Sequence, residues 1–337
     1  DKMSFSKKIL IIRFSSIGDI VLSTSFLSTI KTLFPKSEVH FLTLDRFSSI
    51  LENQPNVDRL IVLNSKSGYK DLLGLNNIIK KSNYDKIFDL HSSIRSLTIT
   101  LGLNDIVSRI KKPRLFRFLL FQFHVNLFPK NFSAIHMYHQ CLDTNLESDY
   151  PPTHLVVTSL EKKIAKKMLK EYGVNGQFIA LVPGAAWERK QWSVEKYCEV
   201  INMITSSSKM NLVMFGSEKD EINDRIANLN VEVTNMSGKT NLRQAMSLLS
   251  LSKVVFGSDT GLLHIAEALG IPVNMILGPT SQETGGGVNL KSSKNIEVDI
   301  WCRPCSQNGQ KHCYRSKQYC MENISPEKVV STLMKNV

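Results

Sequence analysis

The sequence predicts an α/β protein built from two doubly wound, Rossmann-like domains with a cleft between them. Three observations predict it. Short apolar runs alternate with amphipathic segments of helix length in both halves of the chain. A proline-containing break, "DYPPTH" (Asp149–His154), falls near the middle. Polar and glycine-containing motifs follow the apolar runs, and open parallel sheets bind ligands at the carboxyl ends of their strands. The 337 residues are enough for two cores of ordinary size.

In chain order, "KILIIRF" (Lys8–Phe14) reads as a strand and Asp19–Leu33 as a helix. "EVHFLTL" is a strand, Phe47–Glu52 a short helix, "RLIVLN" a strand, Asp71–Lys81 a helix and "YDKIFDL" a strand. The alternation blurs between Ser92 and Tyr150. It restarts after the proline break with the charged helix "SLEKKIAKKMLKEYG", closed by Gly173. There follow strand "FIALVPG", helix Val194–Ser206, strand "NLVMFGS", helix Lys219–Leu229, strand "VEVTNMSG", helix "NLRQAMSLLSLS", strand "KVVFGSD", helix "GLLHIAEALG" and strand "PVNMILG". "SPEKVVSTLMKNV" closes the chain as a helix with Ser325 as its N-cap. The expected division is therefore residues 1–150, residues 151–323 and a C-terminal helix over 324–337.

The net charge of +12 and a pI near 9.3 point to an anionic partner: nucleic acid, a membrane surface or a phosphorylated substrate. The charge is uneven. Between Ile106 and Leu142 there is no Asp or Glu, whereas Arg109, Lys111, Lys112, Arg114, Arg117 and Lys130 are interleaved with six phenylalanines. The cations suit capture of an anionic acceptor or adsorption to a surface; most of the rings read as core. No apolar run reaches membrane-spanning length, and the N-terminal apolar stretch is interrupted by Arg13 and Asp19, so a cytoplasmic address is expected.

Four strand ends carry candidate chemistry. Ser15-Ser16-Ile17-Gly18-Asp19 follows the first strand, with one glycine and one acid where a dinucleotide site would place three glycines. Pro183–Trp192 contains Gly184 and Lys190, an ammonium suited to a departing diphosphate. Glu218 follows "NLVMFG" and is placed to hold a ribose diol, or simply to complement a helix N-terminus. Asp259-Thr260-Gly261 precedes a helix whose first N–H groups suit a phosphate, with Asp259 as its cap or as an acceptor for ligand hydroxyls. His264, one turn on, reads equally well as a ligand contact or a packed core histidine.

"RFSSIGDIVLSTSFLSTIKTLFP", "LVPGAAWERKQWSVEKY", "SDTGLLHIAEALGIPV…LGPT" and "CRPC…CYRSKQYCMENISPEKV" together resemble glycosyltransferase family 9, the ADP-heptose:lipopolysaccharide heptosyltransferases. The Pro-Gly-Ala turn is closer to the heptosyltransferase II branch. The resemblance implies a GT-B fold, an ADP-heptose donor in the C-terminal domain and a lipid A-linked inner-core acceptor in the N-terminal one, at the inner-membrane surface. It implies inverting transfer without a cofactor. By motif position it makes Asp19 the catalytic base and sets Lys190 on the diphosphate. Gly184, Glu218, Thr240, Asp259, Thr260, Gly261 and His264 fall on the donor side. Ser16, Gly18, Arg95, Arg114 and Arg117 are the acceptor-side candidates. Ser193 stands where the family usually has proline, and "TSQETGGG" replaces its usual proline-containing loop; both departures bear on the donor sugar. Another nucleotide sugar or a protein acceptor is the same-fold alternative. A basic nucleic-acid module is the alternative of another class, but it leaves the strand-end motifs without a purpose.

The thiols of Cys302, Cys305, Cys313 and Cys320 are spaced C-x2-C-x7-C-x6-C. They read either as a structural Zn or Fe tetrathiolate or as reduced thiols packed under the last helix.

Overall fold

β1 (Lys8–Ile12) ends in four consecutive aliphatic residues, Ile9 to Ile12, all excluded from solvent, the pattern of a strand covered on both faces. It leads into α1 (Ile17–Leu33), which is buried over most of its length, Ile20–Leu27 included. β2 (Glu38–Leu44), a 3₁₀ turn over Asp45–Leu51, β3 (Arg59–Leu63), α2 (Tyr69–Lys81) and β4 (Lys86–Asp89) follow. In the stretch without clear periodicity lie α3 (Ile94–Ile99), β5 (Val107–Arg109), α4 (Arg114–Phe123) and α5 (Ala134–His139). The structure, a computed structural model, describes residues 7–142 and 149–336.

The second half contains α6 (Ser159–Glu171), β6 (Phe178–Val182), α7 (Val194–Ser207), β7 (Asn211–Met214), α8 (Glu221–Leu229), β8 (Val233–Asn235), α9 (Leu242–Leu249), β9 (Val254–Ser258), α10 (Gly261–Ala268), β10 (Val273–Ile276), β11 (Lys294–Ile296), α11 (Tyr319–Glu322) and α12 (Pro326–Leu333). Several starts follow capping chemistry. Ser193 caps α7 by accepting from the Lys196 N–H, and Ser325 caps α12 by accepting from the Lys328 N–H, with Pro326 in the first turn.

Two all-parallel sheets result, ordered β3-β2-β1-β4-β5 and β11-β10-β9-β6-β7-β8. In each, the strand order reverses once, between β1 and β4 in the first sheet and between β6 and β9 in the second. These are the switch points at which such sheets take ligands. The first core gathers Leu10, Ile12, Leu42, Leu63, Leu72 and Ile87, among others. The second gathers Ile179, Trp192, Tyr197, Val254, Phe256 and Ile324, with α12 packed against α7.

The chain forms two compact units, the residues up to Lys112 with Asn131–Val156, and Pro113–Lys130 with the residues from Val157 onward. The break at Asp149–His154 thus lies just before the chain enters the second unit. Arg114 and Arg117, assigned from the sequence to the first domain, belong with the second unit. Contacts far along the chain hold that excursion there: the Asn126 amide donates to Glu283, and the His124 ring stands edge-on to Trp301. Most of its phenylalanines are not core either. Phe128 is buried and Phe121 half-buried, but Phe116, Phe118 and Phe123 are exposed, together with Leu115, Val125 and Leu127.

Candidate active site

The second unit's switch point brings together the loops after β6 and β9. Lys190 ends a 3₁₀ turn, Glu188–Lys190, and its Nζ lies 2.9 Å from the Asp259 Oδ2. The lysine stem crosses Gly309, where a Cβ would sit 2.5 Å from the Lys190 Cγ, so only glycine leaves room for it. Asp259 is buried, accepts a 2.8 Å hydrogen bond from the Thr280 hydroxyl, and has the His264 Nε2 3.8 Å from its Oδ1. Burial opposes its ionisation, but the charge of Lys190 and the nearby His264 outweigh burial and hold the carboxyl well below its usual range.

Asp259 is therefore not the cap of α10, as the sequence suggested. The cap position belongs to Thr260, whose side chain makes no capping bond. The first-turn N–H groups of Gly261 and Leu262 keep the positive helix end open, next to a lysine that already neutralises the neighbouring acid. His264 is buried, and among the described residues its Nδ1 has no partner.

Other donor-side candidates fall differently. Gly184 packs against Asp220, whose carboxyl atoms a Cβ would meet at 2.4–2.8 Å. Asp220, which the sequence did not single out, accepts from the Ser217 N–H at 2.6 Å and from its hydroxyl at 3.0 Å, shaping the loop after β7. Glu218 is exposed in that loop, beside Gly238. Thr240 is half-buried immediately before Asn241, the cap of α9. Arg303, also missed, donates to the carbonyls of Gly278, Val298 and Thr280 and pairs with Glu297 at 2.6 Å, which fixes the loop from which Thr280 reaches Asp259.

The first unit's switch point is built on Asp19. Its Oδ2 lies 2.7 Å from the Arg13 Nη2 and accepts from the Ser16 N–H (3.1 Å) and hydroxyl (2.9 Å); its Oδ1 accepts from the Tyr138 hydroxyl at 2.9 Å. Burial raises the proton affinity of this carboxyl, but Arg13, then Ser16 and Tyr138, bring its pKa down to about 2. Arg13 is itself anchored by donating from Nη1 to the Leu90 carbonyl at 2.5 Å. A cation directly after an apolar strand was the available signal for Arg13. Tyr138, 119 residues away from Asp19, gave none. Gly18 lies in the first turn of α1, outside the left-handed region.

The loop after β4 is held by Asp89, buried and likewise unforeseen. Its Oδ1 accepts from the His91 and Ser92 N–H groups and its Oδ2 from the Ser96 hydroxyl, with the Arg109 Nε at 3.5 Å. Lys112 donates to the Ser92 carbonyl. Two cations of the basic run thus fasten this loop. Arg95 lies in the first turn of α3, half-buried, and among the described residues it has no ion-pair partner. Arg114 is exposed on α4, and Arg117 is half-buried there.

The four C-terminal cysteines are free thiols lining one small cavity with Pro279, Arg303 and Arg315. Burial, followed by the neighbouring thiols, pushes Cys305 up to about 11, and the Arg315 Nη1 stands 3.6 Å from the Cys302 Sγ. Among the described residues no three His, Cys, Asp or Glu side chains are grouped closely enough to hold a metal ion. As placed, the four thiols do not close into a tetrathiolate group, and they line the cavity as separate side chains. Among the described residues no helix is long and apolar enough to cross a membrane.

Two doubly wound units, each with an all-parallel sheet and one switch point, have the architecture of a GT-B glycosyltransferase. The chain belongs to glycosyltransferase family 9 (heptosyltransferase), whose sequence profile matches residues 73–314. It is 26% identical over 297 residues to lipopolysaccharide heptosyltransferase 2 of Salmonella typhimurium, covering 82% of this chain and 84% of that one. It is 23% identical over 333 residues to lipooligosaccharide heptosyltransferase 2 of Campylobacter jejuni, covering 95% and 96%. Its fold matches that of E. coli ADP-heptose lipopolysaccharide heptosyltransferase II with a TM-score of 0.73 over 98% of both chains, at 22% identity.

Proposed function

We propose that this glycosyltransferase moves a heptose from ADP-heptose to a hydroxyl of the lipopolysaccharide inner core with inversion at the anomeric carbon. The observation that carries the donor half is the uncapped α10 terminus beside the buried Lys190–Asp259 pair. An incoming diphosphate takes the N–H groups of Gly261 and Leu262, the Thr260 hydroxyl and the Lys190 ammonium. The developing charge on ADP is then stabilised by groups already in place. Asp259 and His264 are left for the sugar hydroxyls, and Glu218 and Thr240 for the nucleoside. On the acceptor side Asp19 acts as base on the attacking hydroxyl, beside Ser16, with Gly18 giving close access and Arg95 for an acceptor carboxylate or phosphate.

The names of the relatives support heptose and lipopolysaccharide as substrates. Calorimetric titration with ADP-heptose against other nucleotide sugars, followed by transfer to an inner-core acceptor, is the test. Equal affinity for UDP-sugars, or no transfer, overturns the reading.

Exposed Leu115, Phe116, Phe118 and Phe123 with Arg114 and Arg117 on α4 support adsorption to an anionic bilayer, where this acceptor is anchored. Co-sedimentation with anionic but not neutral vesicles, lost in Phe118→Glu, is expected. A structural Zn or Fe at Cys302, Cys305, Cys313 and Cys320 requires those thiols to close in as thiolates. Elemental analysis checks it: a metal-free, fully active protein excludes the metal.

A further inference from the structure

Asp19 divides its two oxygens unequally. Oδ2 accepts from the Arg13 Nη2 at 2.7 Å, the Ser16 N–H at 3.1 Å and the Ser16 hydroxyl at 2.9 Å. Three donors fill the acceptor capacity of that oxygen. Among the described residues Oδ1 accepts only from the Tyr138 hydroxyl, at 2.9 Å, and so keeps one lone pair open. The carboxyl is also reachable: the Asp19 side chain is 34% exposed, against 9% for that of Arg13. Tyr138 is excluded from solvent.

Tyr138 comes to Asp19 on α5, whose cap Ser133 accepts from the His136 N–H. The next residue ties the same pair of helices together. The His139 Nε2 lies 2.8 Å from the Thr29 hydroxyl of α1, and its ring stacks on Tyr150 at 4.2 Å. The Arg13 guanidinium in turn lies over the Tyr138 ring at 5.5 Å. A stiff aromatic side chain, locked by burial, thus delivers one hydroxyl to one carboxylate oxygen.

We propose that Tyr138 is the positioning residue of the acceptor site, its hydroxyl fixing the Asp19 Oδ1 as the atom that takes the proton of the attacking hydroxyl. This rests on the transfer reaction proposed above, with Asp19 as its base. The acceptor O–H bond breaks, and its oxygen forms the new bond to the anomeric carbon. The bond from that carbon to the diphosphate breaks, and ADP leaves with the electron pair. The proton adds to the open lone pair of Oδ1.

Without Tyr138 the carboxyl is held from the Oδ2 side alone. It can then turn about its Cβ–Cγ bond and carry the open lone pair away from the hydroxyl it must meet. Misplacing a reacting group by about 1 Å costs up to about 10²-fold in rate. The Tyr138 hydrogen bond also favours the ionised carboxyl, the form a base must have.

The test is a double-mutant cycle of Tyr138→Phe and Asp19→Asn, read as kcat and KM for transfer from ADP-heptose, with ADP affinity measured by calorimetry. Tyr138→Phe is expected to lower kcat roughly 10- to 100-fold, with KM and ADP affinity within about twofold of wild type. In the Asp19→Asn background, itself down roughly 10²- to 10⁴-fold, the same change is expected to alter the remaining transfer by less than about twofold. A tyrosine that only supports the fold costs the same factor in both backgrounds, and that result overturns the proposal. So does a Tyr138→Phe enzyme within about threefold of wild-type kcat. If Tyr138→Phe does not melt cooperatively, Asp19→Glu decides, since it keeps the acid but moves its oxygens by one methylene. A kcat loss beyond about threefold supports a fixed Oδ1, and a smaller one overturns it. Wild type that binds ADP but transfers no heptose overturns the transfer reaction, and Asp19→Asn at wild-type kcat overturns its base; either removes the role of Tyr138 as well. Failure of the Tyr138→Phe arms alone leaves that reaction standing.

Discussion

The two switch points share a strand order but treat their helix termini in opposite ways. In the second unit α10 begins at Thr260, whose side chain caps nothing, and the nearby Asp259 is already paired with Lys190. In the first unit α1 begins at Ser16, and Asp19 folds back on the Ser16 N–H and hydroxyl, so a carboxylate occupies the positive end of the helix. A phosphate is favoured at the first kind of terminus and repelled at the second. Parallel sheets of the same winding therefore present helix termini of opposite anion preference through the placement of one acid. At α1 the acid faces the helix; before α10 it faces a lysine.

The largest expected effect comes from opening the Lys190–Asp259 pair. Lys190→Ala leaves a buried carboxylate unpaired and takes a cation from the leaving group. Transfer kcat/KM is expected to fall about 10²- to 10³-fold, with a loss of about 3–5 kcal/mol in stability. A transfer assay alongside thermal melts checks both. Near-wild-type turnover would remove Lys190 from the donor site.

Breaking the other side of the comparison is milder. Arg13→Gln removes the main charge that keeps the Asp19 pKa down at about 2. A depressed carboxyl contributes stability above its unfolded value, and that contribution is lost as pH falls through the folded value. In the variant the folded value rises, so less of this stabilisation exists at neutral pH. The expected cost is about 2 kcal/mol, and acid unfolding, followed by circular dichroism, is expected to begin at a higher pH than in wild type. An unchanged acid transition would contradict the role of Arg13.

The smallest effect sharpens the contrast. Thr280→Val removes one hydrogen bond from Asp259 but leaves Lys190 in place. About 1 kcal/mol in donor affinity is expected, read as a several-fold weaker ADP titration. A loss as large as that of Lys190→Ala would mean that Thr280 touches the donor itself.

Much of this architecture was legible in the sequence, because it is local. The run Ile9–Ile12 must be a strand covered on both faces, and Ser325-Pro326 must start a helix. The loops after β1, β6 and β9 were recognisable as places for chemistry from residue types alone, since strand ends in a parallel sheet point to one side. The roles inside those loops were less legible. Asp259 read as a cap or as an acceptor for ligand hydroxyls, and it is one half of an ion pair while Thr260 holds the cap position.

The sequence by itself determined the order of strands and helices outside Ser92–Tyr150 and up to β10, and which strand-end loops carry the acids and the lysine. Only the tertiary structure decided which of those groups meet. Tyr138 reaches Asp19 across 119 residues, and Thr280 braces Asp259 from the far side of β10. α4, despite its place in the chain, packs with the second unit. Periodicity and capping are set by neighbours a few positions apart, whereas the charge state of Asp19, the pairing of Lys190 and the exposure of the α4 phenylalanines depend on contacts made only when distant segments fold together.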